Sequence, residues 1–332
     1  MLNLQDHLNN LPAFTHAAID PATFAAELNA TCSTVQMQEQ PRLYQIETTS
    51  VCNLACPFCP RTFDLRKNKQ RSLTEYMPLD KFLHLLDQMP WLRSIELFHF
   101  GEPFMHKDFE KYVQACSDRD IYTVVASNLL PATPEKVDAV FAAGLRFLVM
   151  DIDSLRPDKY AAMRVNGTLD RLKERVLYIL NHSARPYCVA QTINVDGVPE
   201  YTWEELLAWT DGAAPDELRY KFLDSFRNGA CEKQGLQGDD LCREPFYGFS
   251  VHVNGNVVPC DRDWAGENVM GNVFETPILD IWNGAKFTAF RERMRSADKP
   301  DMCRKCAEGR LFNARSQPHI QVNMFKGEAL DA

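Results

Sequence analysis

Apolar residues along this chain recur with two alternating periods, and the alternation predicts a protein built from repeated strand and helix units. Short runs rich in β-branched and aromatic residues predict strands at Leu43 to Glu47, Ser94 to Phe100, Tyr122 to Ala126, Arg146 to Met150, Tyr187 to Ile193 and Leu218 to Leu223. Between them, apolar positions return every three or four residues, which predicts helices at Leu79 to Gln88, Lys107 to Asp118, Pro134 to Ala143, Leu169 to Asn181 and Thr202 to Thr210. Thr133-Pro134 has the residue types that open a helix and Gly144 the type that closes one. Six strands spaced by helices describe an α/β fold with a parallel sheet, either open and doubly wound or curved into an incomplete barrel.

From about Gly229 this rhythm stops. Residues Val251 to Pro259 read as a hairpin turning at Asn254-Gly255, Ile278 to Arg295 as a helix, and Cys303 to Cys306 as a cysteine knuckle. The chain thus divides into an N-terminal helical extension (1–42), the α/β domain (43–228) and a small C-terminal domain (229–332).

In parallel α/β proteins ligands bind at the carboxyl ends of the strands. Ligand-type residues follow all six: Cys52, Cys56 and Cys59; Gly101 and Glu102; Ser127 and Asn128; Asp151 and Asp153; Asn194; Asp224 and Arg227. Six such ends in register around a cysteine cluster point to one shared site.

Composition narrows the class. With 332 residues, 45% hydrophobic and 24% charged, the chain can bury a real core, which excludes disordered and collagen-like proteins. Lys plus Arg total 36 against 45 Asp plus Glu, a net charge of −9, so nucleic acid is not an expected partner. Residues 1–20 lack a positive segment leading into an apolar run, and no stretch reaches the roughly 18 apolar residues of a membrane span. The expected location is cytoplasmic. Eleven unevenly spaced cysteines favour metal or redox chemistry over a secreted disulfide framework.

Cys52-Asn-Leu-Ala-Cys56-Pro-Phe-Cys59 places three thiols on one short loop. A cluster of iron and sulfur normally takes four protein thiolates, so three imply an iron left open to a substrate or cofactor. The alternative is a zinc site that borrows a distant fourth ligand. This spacing resembles that of the radical S-adenosylmethionine superfamily. The resemblance implies a partial barrel of six strand–helix units. It also implies that the three cysteines hold a [4Fe-4S] cluster whose fourth iron is chelated by S-adenosylmethionine, and that reductive cleavage of the sulfonium releases a 5′-deoxyadenosyl radical. Around the loop, Phe58, Gly101-Glu102-Pro103, Ser127, Asp151, Asp153 and Arg164 resemble the family's cofactor-binding positions. By that resemblance Glu102 accepts from the methionyl ammonium, Ser127 meets the carboxylate or ribose, and Arg164 pairs with the carboxylate. The sequence departs at Ser127-Asn128-Leu129, where the family commonly has Thr-Asn-Gly.

Cys242, Cys260, Cys303 and Cys306 supply four further thiols. Four satisfy either a zinc or an iron-sulfur cluster, and spacing alone leans to zinc. The segments Val257 to Cys260, Met270 to Asn272 and Asp280 to Trp282 resemble the SPASM motif in its truncated "twitch" form, which implies one auxiliary [4Fe-4S] cluster serving electron transfer or structure. Within that subgroup the likeness is to aminoglycoside-pathway dehydrogenases and epimerases. It implies oxidation of a secondary alcohol on an amino sugar or aminocyclitol, a role in natural-product biosynthesis, and an electron donor such as flavodoxin or ferredoxin. Arg227 would hold the substrate hydroxyl. Cys231, or Cys188 on the fifth strand, would return a hydrogen atom if the reaction were instead an epimerisation. A peptide substrate and a zinc-binding interaction module are the rival readings. The acidic balance suits a cationic substrate.

Overall fold

The computed structural model describes residues 34–38, 40–41, 43–63, 71–194, 200–222, 242, 244–304 and 323–325. The chain forms two compact units, one of residues 1–47, 77–95 and 225–320, the other of 48–76, 96–224 and 321–332.

The second unit carries the parallel sheet. Its strands are β3 (Tyr122–Ser127), β4 (Phe147–Asp151), β5 (Tyr187–Asn194) and β6 (Glu217–Phe222), paired in sequence order and all parallel. The expected strands match these to within a residue. β2 (Ser94–Glu96) ends four residues before its expected limit, yet Leu97 just beyond it still donates to the Val124 carbonyl of β3. β3 and β4 are almost wholly buried, as continuous apolar strands in a parallel sheet should be. The sheet does not close: β6 takes β10 (Asn323–Phe325), antiparallel, as its outer neighbour.

Helices return the chain between these strands. α3 (Phe109–Ser117) buries Phe109, Tyr112, Val113 and Cys116. α4 (Pro134–Ala142) opens on Thr133-Pro134 as read from sequence. α6 (Leu169–Leu180) buries Leu169, Leu172, Val176 and Ile179, one stripe at helical spacing. α7 (Trp203–Trp209) starts in a capping box between Thr202 and Glu205. α1 (Pro60–Phe63) and α5 (Pro157–Met163) are too short to show a period and were not predicted.

The first unit contains β1 (Leu43–Ile46), parallel to β7 (Gly248–Val251), with β8 (Asn256–Val258) and β9 (Gly271–Asn272) continuing antiparallel. β7 and β8 form the expected hairpin. Gly255 turns it at φ +85°, with Phe274 2.5 Å from where a Cβ would stand. α2 (Leu79–Asp87) and α8 (Glu244–Tyr247) also lie here. The helix expected from Ile278 to Arg295 is two, α9 (Ile278–Trp282) and α10 (Ala285–Met294). The break is at Asn283, whose side-chain amide accepts from Met37 N–H at 2.9 Å and donates to Met37 C=O at 3.0 Å. Asn readily trades helical hydrogen bonds for such contacts. Cys303 sits on α11 (Asp301–Arg304). Among the described residues no helix is long and apolar enough to cross a membrane.

Leu148, fully buried near the amino end of β4, tests the sheet core. Leu148→Ala should destabilise the protein by about 2–5 kcal/mol, read as a lowered urea midpoint. An unchanged midpoint would mean that this strand is not packed as described.

Candidate active site at the cysteine loop

The cysteine loop, the segments following β2, β3 and β4 and the end of α5 all belong to the second unit, so the site can be built within it. The segment after β2 reaches the loop first. A Cβ on Gly101 would stand 1.8 Å from the Thr49 carbonyl oxygen, so only glycine fits there, and Glu102 N–H donates to Val51 C=O at 2.8 Å. Pro103 opens a short 3-10 turn (Pro103–Met105) that Glu102 caps.

Glu102 is buried and its carboxylate is the hub of the site. Oε1 accepts from Phe104 N–H (3.1 Å) and the Ser127 hydroxyl (2.7 Å), and Oε2 accepts from Asn128 N–H (2.8 Å). A carboxylate has about four acceptor positions, so one on Oε2 remains for a ligand. Burial pushes its pKa up to about 7, against the three donors that favour the charged form. The Ser127 hydroxyl spends its proton on Glu102 and accepts from Leu129 N–H at 2.9 Å, so its direct work here is to hold the acid.

Arg164, just past α5, is buried among its own carboxylates. Its Nε donates to Asp153 and its Nη2 meets Asp151 Oδ2 at 3.1 Å. Nη1 reaches Cys56 Sγ at 3.9 Å, and the guanidinium carbon lies 5.5 Å from the centre of the Phe58 ring. The two aspartates outweigh desolvation and hold its pKa well above the ordinary value. Ala55 N–H donates to Val165 C=O at 3.1 Å, which ties the loop to this segment.

Cys52, Cys56 and Cys59 are all free thiols. Burial, reinforced by the Glu102 charge, pushes Cys52 up to about 12. Burial pushes Cys56 up to about 11 although Arg164 opposes it, and it raises Cys59 as well. Binding a metal would displace these protons, since a thiol ligates as its thiolate. Among the described residues no three His, Cys, Asp or Glu side chains gather where they could hold one metal ion. A four-iron cube takes one thiolate per iron, so its ligands surround a volume and do not converge on a point. Three thiols without a fourth suit a cube with one iron left for another ligand.

The other predicted residues are placed differently. Cys188 lies at the amino end of β5 opposite Leu148, three residues before the Asp151–Gln191 pair, and its thiol donates to Pro186 C=O at 3.4 Å. It is buried, with its pKa pushed up to about 12, and is not brought to the cysteine loop. In the first unit Cys242 precedes α8, Cys260 follows β8 and Cys303 is on α11, each half-buried. Arg227, Cys231 and Cys306 lie outside the described residues. Sequence reasoning missed Gln191, whose Nε2 donates to Asp151 Oδ1 at 3.1 Å, and Asn53, whose amide meets that of Asn128. The signal for Gln191 was a polar side chain inside an apolar strand.

Fold and site together place three free thiols, a buried acid and a buried arginine at the carboxyl ends of parallel strands in an α/β protein. Two family models match: the radical SAM superfamily over residues 46–210 and the SPASM iron-sulfur cluster-binding domain over 242–307. The S-adenosyl-L-methionine-dependent 2-deoxy-scyllo-inosamine dehydrogenase of Niallia circulans is 23% identical over 272 residues, spanning 80% of this chain and 92% of that protein. A PqqA peptide cyclase of Xanthomonas oryzae pv. oryzae is 26% identical over 311 residues, 79% of this chain and 78% of that one. Among solved structures, BtrN in complex with AdoMet and 2-DOIA aligns at TM-score 0.54 and 18% identity over 81% of this chain and 94% of that one. SuiB of Streptococcus suis bound to precursor peptide SuiA aligns at 0.60 and 14% over 92% and 80%. The chain belongs to the radical SAM superfamily and carries a C-terminal SPASM domain. It is an enzyme that binds S-adenosylmethionine and a [4Fe-4S] cluster, and its SPASM domain is of the kind that binds auxiliary clusters.

Removing Arg164 leaves the buried Asp153 and the half-buried Asp151 without their countercharge. Arg164→Ala should cost about 3–5 kcal/mol, and Arg164→Lys should recover only part of it because a lysine cannot fork between two acids. Denaturant melts of both variants check this; equal stability of Arg164→Ala and wild type would sink it.

Proposed function

We propose that this enzyme oxidises a secondary alcohol of an amino sugar or aminocyclitol to a ketone. The observation that supports this reading most is the match to 2-deoxy-scyllo-inosamine dehydrogenase, which spans 80% of this chain and 92% of that protein. Cys52, Cys56 and Cys59 would hold the cluster, whose chemistry with bound S-adenosylmethionine is to supply a 5′-deoxyadenosyl radical. Glu102 would take the cofactor's ammonium on its free lone pair. Gly101 and Pro103 would shape that contact, and Phe58 with Arg164, Asp151 and Asp153 would line the remainder of the cofactor's seat. Ser127 would keep Glu102 in place. The carbinol loses one hydrogen atom, one proton and one electron in becoming a ketone. Arg227 would hold the hydroxyl while it gives up the proton, and Cys242, Cys260, Cys303 and Cys306 would hold the auxiliary cluster that takes the electron. Residues 1–42 would then be an extension, 43–228 the partial barrel and 229–332 the twitch domain. A flavodoxin or ferredoxin would supply the initiating electron.

The test is anaerobic turnover of reconstituted protein with 2-deoxy-scyllo-inosamine and related aminocyclitols in deuterated buffer. Roughly eight irons per chain, with ketone and 5′-deoxyadenosine in equal amounts, are expected. An epimer carrying solvent deuterium, abolished by Cys231→Ala, would replace oxidation by epimerisation. Turnover of a peptide alone would favour the chemistry of the PqqA relatives.

The raised pKa of Glu102 sets a pH dependence. An acid raised in the folded state adds stability while protonated, and loses that contribution as pH climbs from its unfolded value near 4.5 through about 7. A ligand ammonium requires the ionised form, so affinity for S-adenosylmethionine should weaken toward tenfold per unit as pH falls below about 7. Calorimetric titration across pH 6 to 8 measures it. In Glu102→Gln binding should be weak throughout and flat with pH; a wild-type affinity just as flat would contradict the assignment.

A further inference from the structure

The turn after β3 does more than hold Glu102. Asn128 donates its backbone N–H to Glu102 Oε2 and sends its side chain toward the cysteine loop. The orientation of that amide follows from its neighbours. Its oxygen accepts from Leu130 N–H at 3.1 Å, a backbone donor that cannot be exchanged for an acceptor. The NH2 end must therefore face the other way. It points at two acceptors, Asn53 Oδ1 at 3.1 Å and Cys52 Sγ at 3.9 Å. Asn53 is the residue next to Cys52, so the two amides brace each other against the first thiol of the loop. Cys52 also accepts from Leu54 N–H at 3.5 Å. Cys56 is met differently, by the Arg164 guanidinium.

The backbone at this turn is strained to keep that pose. Leu129 is fully buried at φ +64°, a conformation that costs a residue with a Cβ about 1–2 kcal/mol. It is held by its N–H to Ser127 Oγ at 2.9 Å and by Ala132 N–H to its own carbonyl at 2.9 Å. The turn keeps a glycine conformation with a leucine in place.

We infer that Asn128 is a positioning residue for the cluster: its buried amide N–H, fixed by Asn53 and Leu130, hydrogen-bonds the Cys52 sulfur and favours the reduced cluster. A donor to a ligand sulfur offsets negative charge, and reduction adds negative charge, so the bond strengthens in the reduced form. The inference rests on the reading that Cys52, Cys56 and Cys59 hold the cluster.

The test uses full-length protein reconstituted anaerobically, with iron content and midpoint potential of the S-adenosylmethionine-binding cluster followed by electron paramagnetic resonance. Asn128→Leu keeps the shape and removes the donor. At unchanged iron content the reduction equilibrium should fall about tenfold, a shift near 59 mV for one electron to more negative potential. Asn53→Ala, which loosens the amide without deleting it, should shift it in the same direction by less. S-adenosylmethionine affinity should stay within about threefold, because the backbone of Asn128 and not its side chain meets Glu102. Potentials unmoved in both variants would overturn the role of Asn128. A wild-type protein with no low-potential cluster signal would overturn the cluster reading and this inference with it.

Discussion

A carboxylate without water organises this site. Glu102 is buried, and its charged form is tolerable only because Phe104, Ser127 and Asn128 surround it with donors. Those donors come from two different loops, so satisfying one side chain fixes the segments after β2 and β3 relative to each other. Gly101 then presses the first of these segments onto the backbone before the cysteines, at a distance no other residue allows. The geometry of the thiols is thus inherited from the hydrogen-bonding needs of an acid.

The second charge in the site obeys the same rule with opposite sign. Arg164 is buried with Asp151 and Asp153, and the three groups together carry one net negative charge. The nearby thiols hold their protons chiefly because they are buried where water does not reach, with the Glu102 charge adding to this at Cys52 and Arg164 opposing it at Cys56. A cationic partner, whether iron or an ammonium or sulfonium group, relieves what the protein has concentrated there.

Much of this was legible in the chain. Strand and helix periods located β3 to β6 to within a residue, and β3 and β4, almost wholly buried, read as apolar runs. The cysteine loop and Gly101-Glu102-Pro103 were legible because a spacing and a glycine carry their chemistry locally. What escaped depends on distant partners. The break at Asn283 follows from hydrogen bonds to Met37, some 246 positions away in sequence. The aspartates of the same chain against Arg164, and the bond that spends the Ser127 proton on Glu102, join residues far apart in sequence and carry no local signal. Cys188 reads as a candidate donor because alternation says which face a strand residue takes but not how far along the strand the site lies.

The two buried arginines show how much the surroundings decide. Arg164 keeps its charge against carboxylates, and its pKa rises. Arg291 on α10 is fully buried, and its compensation is of another kind: its Nε donates to Pro245 C=O at 2.8 Å and its Nη1 to Val35 C=O at 3.1 Å, while the rings of Trp282 and Phe287 lie 4.0 and 4.4 Å from its guanidinium carbon. Carbonyl dipoles and ring faces offset desolvation only in part, and its pKa falls to about 9, still high enough to remain charged at neutral pH. Pro245 is three residues beyond Cys242, so this cation anchors the chain just after the first thiol of the C-terminal domain. One unit thus holds its buried cation against carboxylates beside its thiols, and the other holds one against carbonyl dipoles and ring faces in the segment just after Cys242.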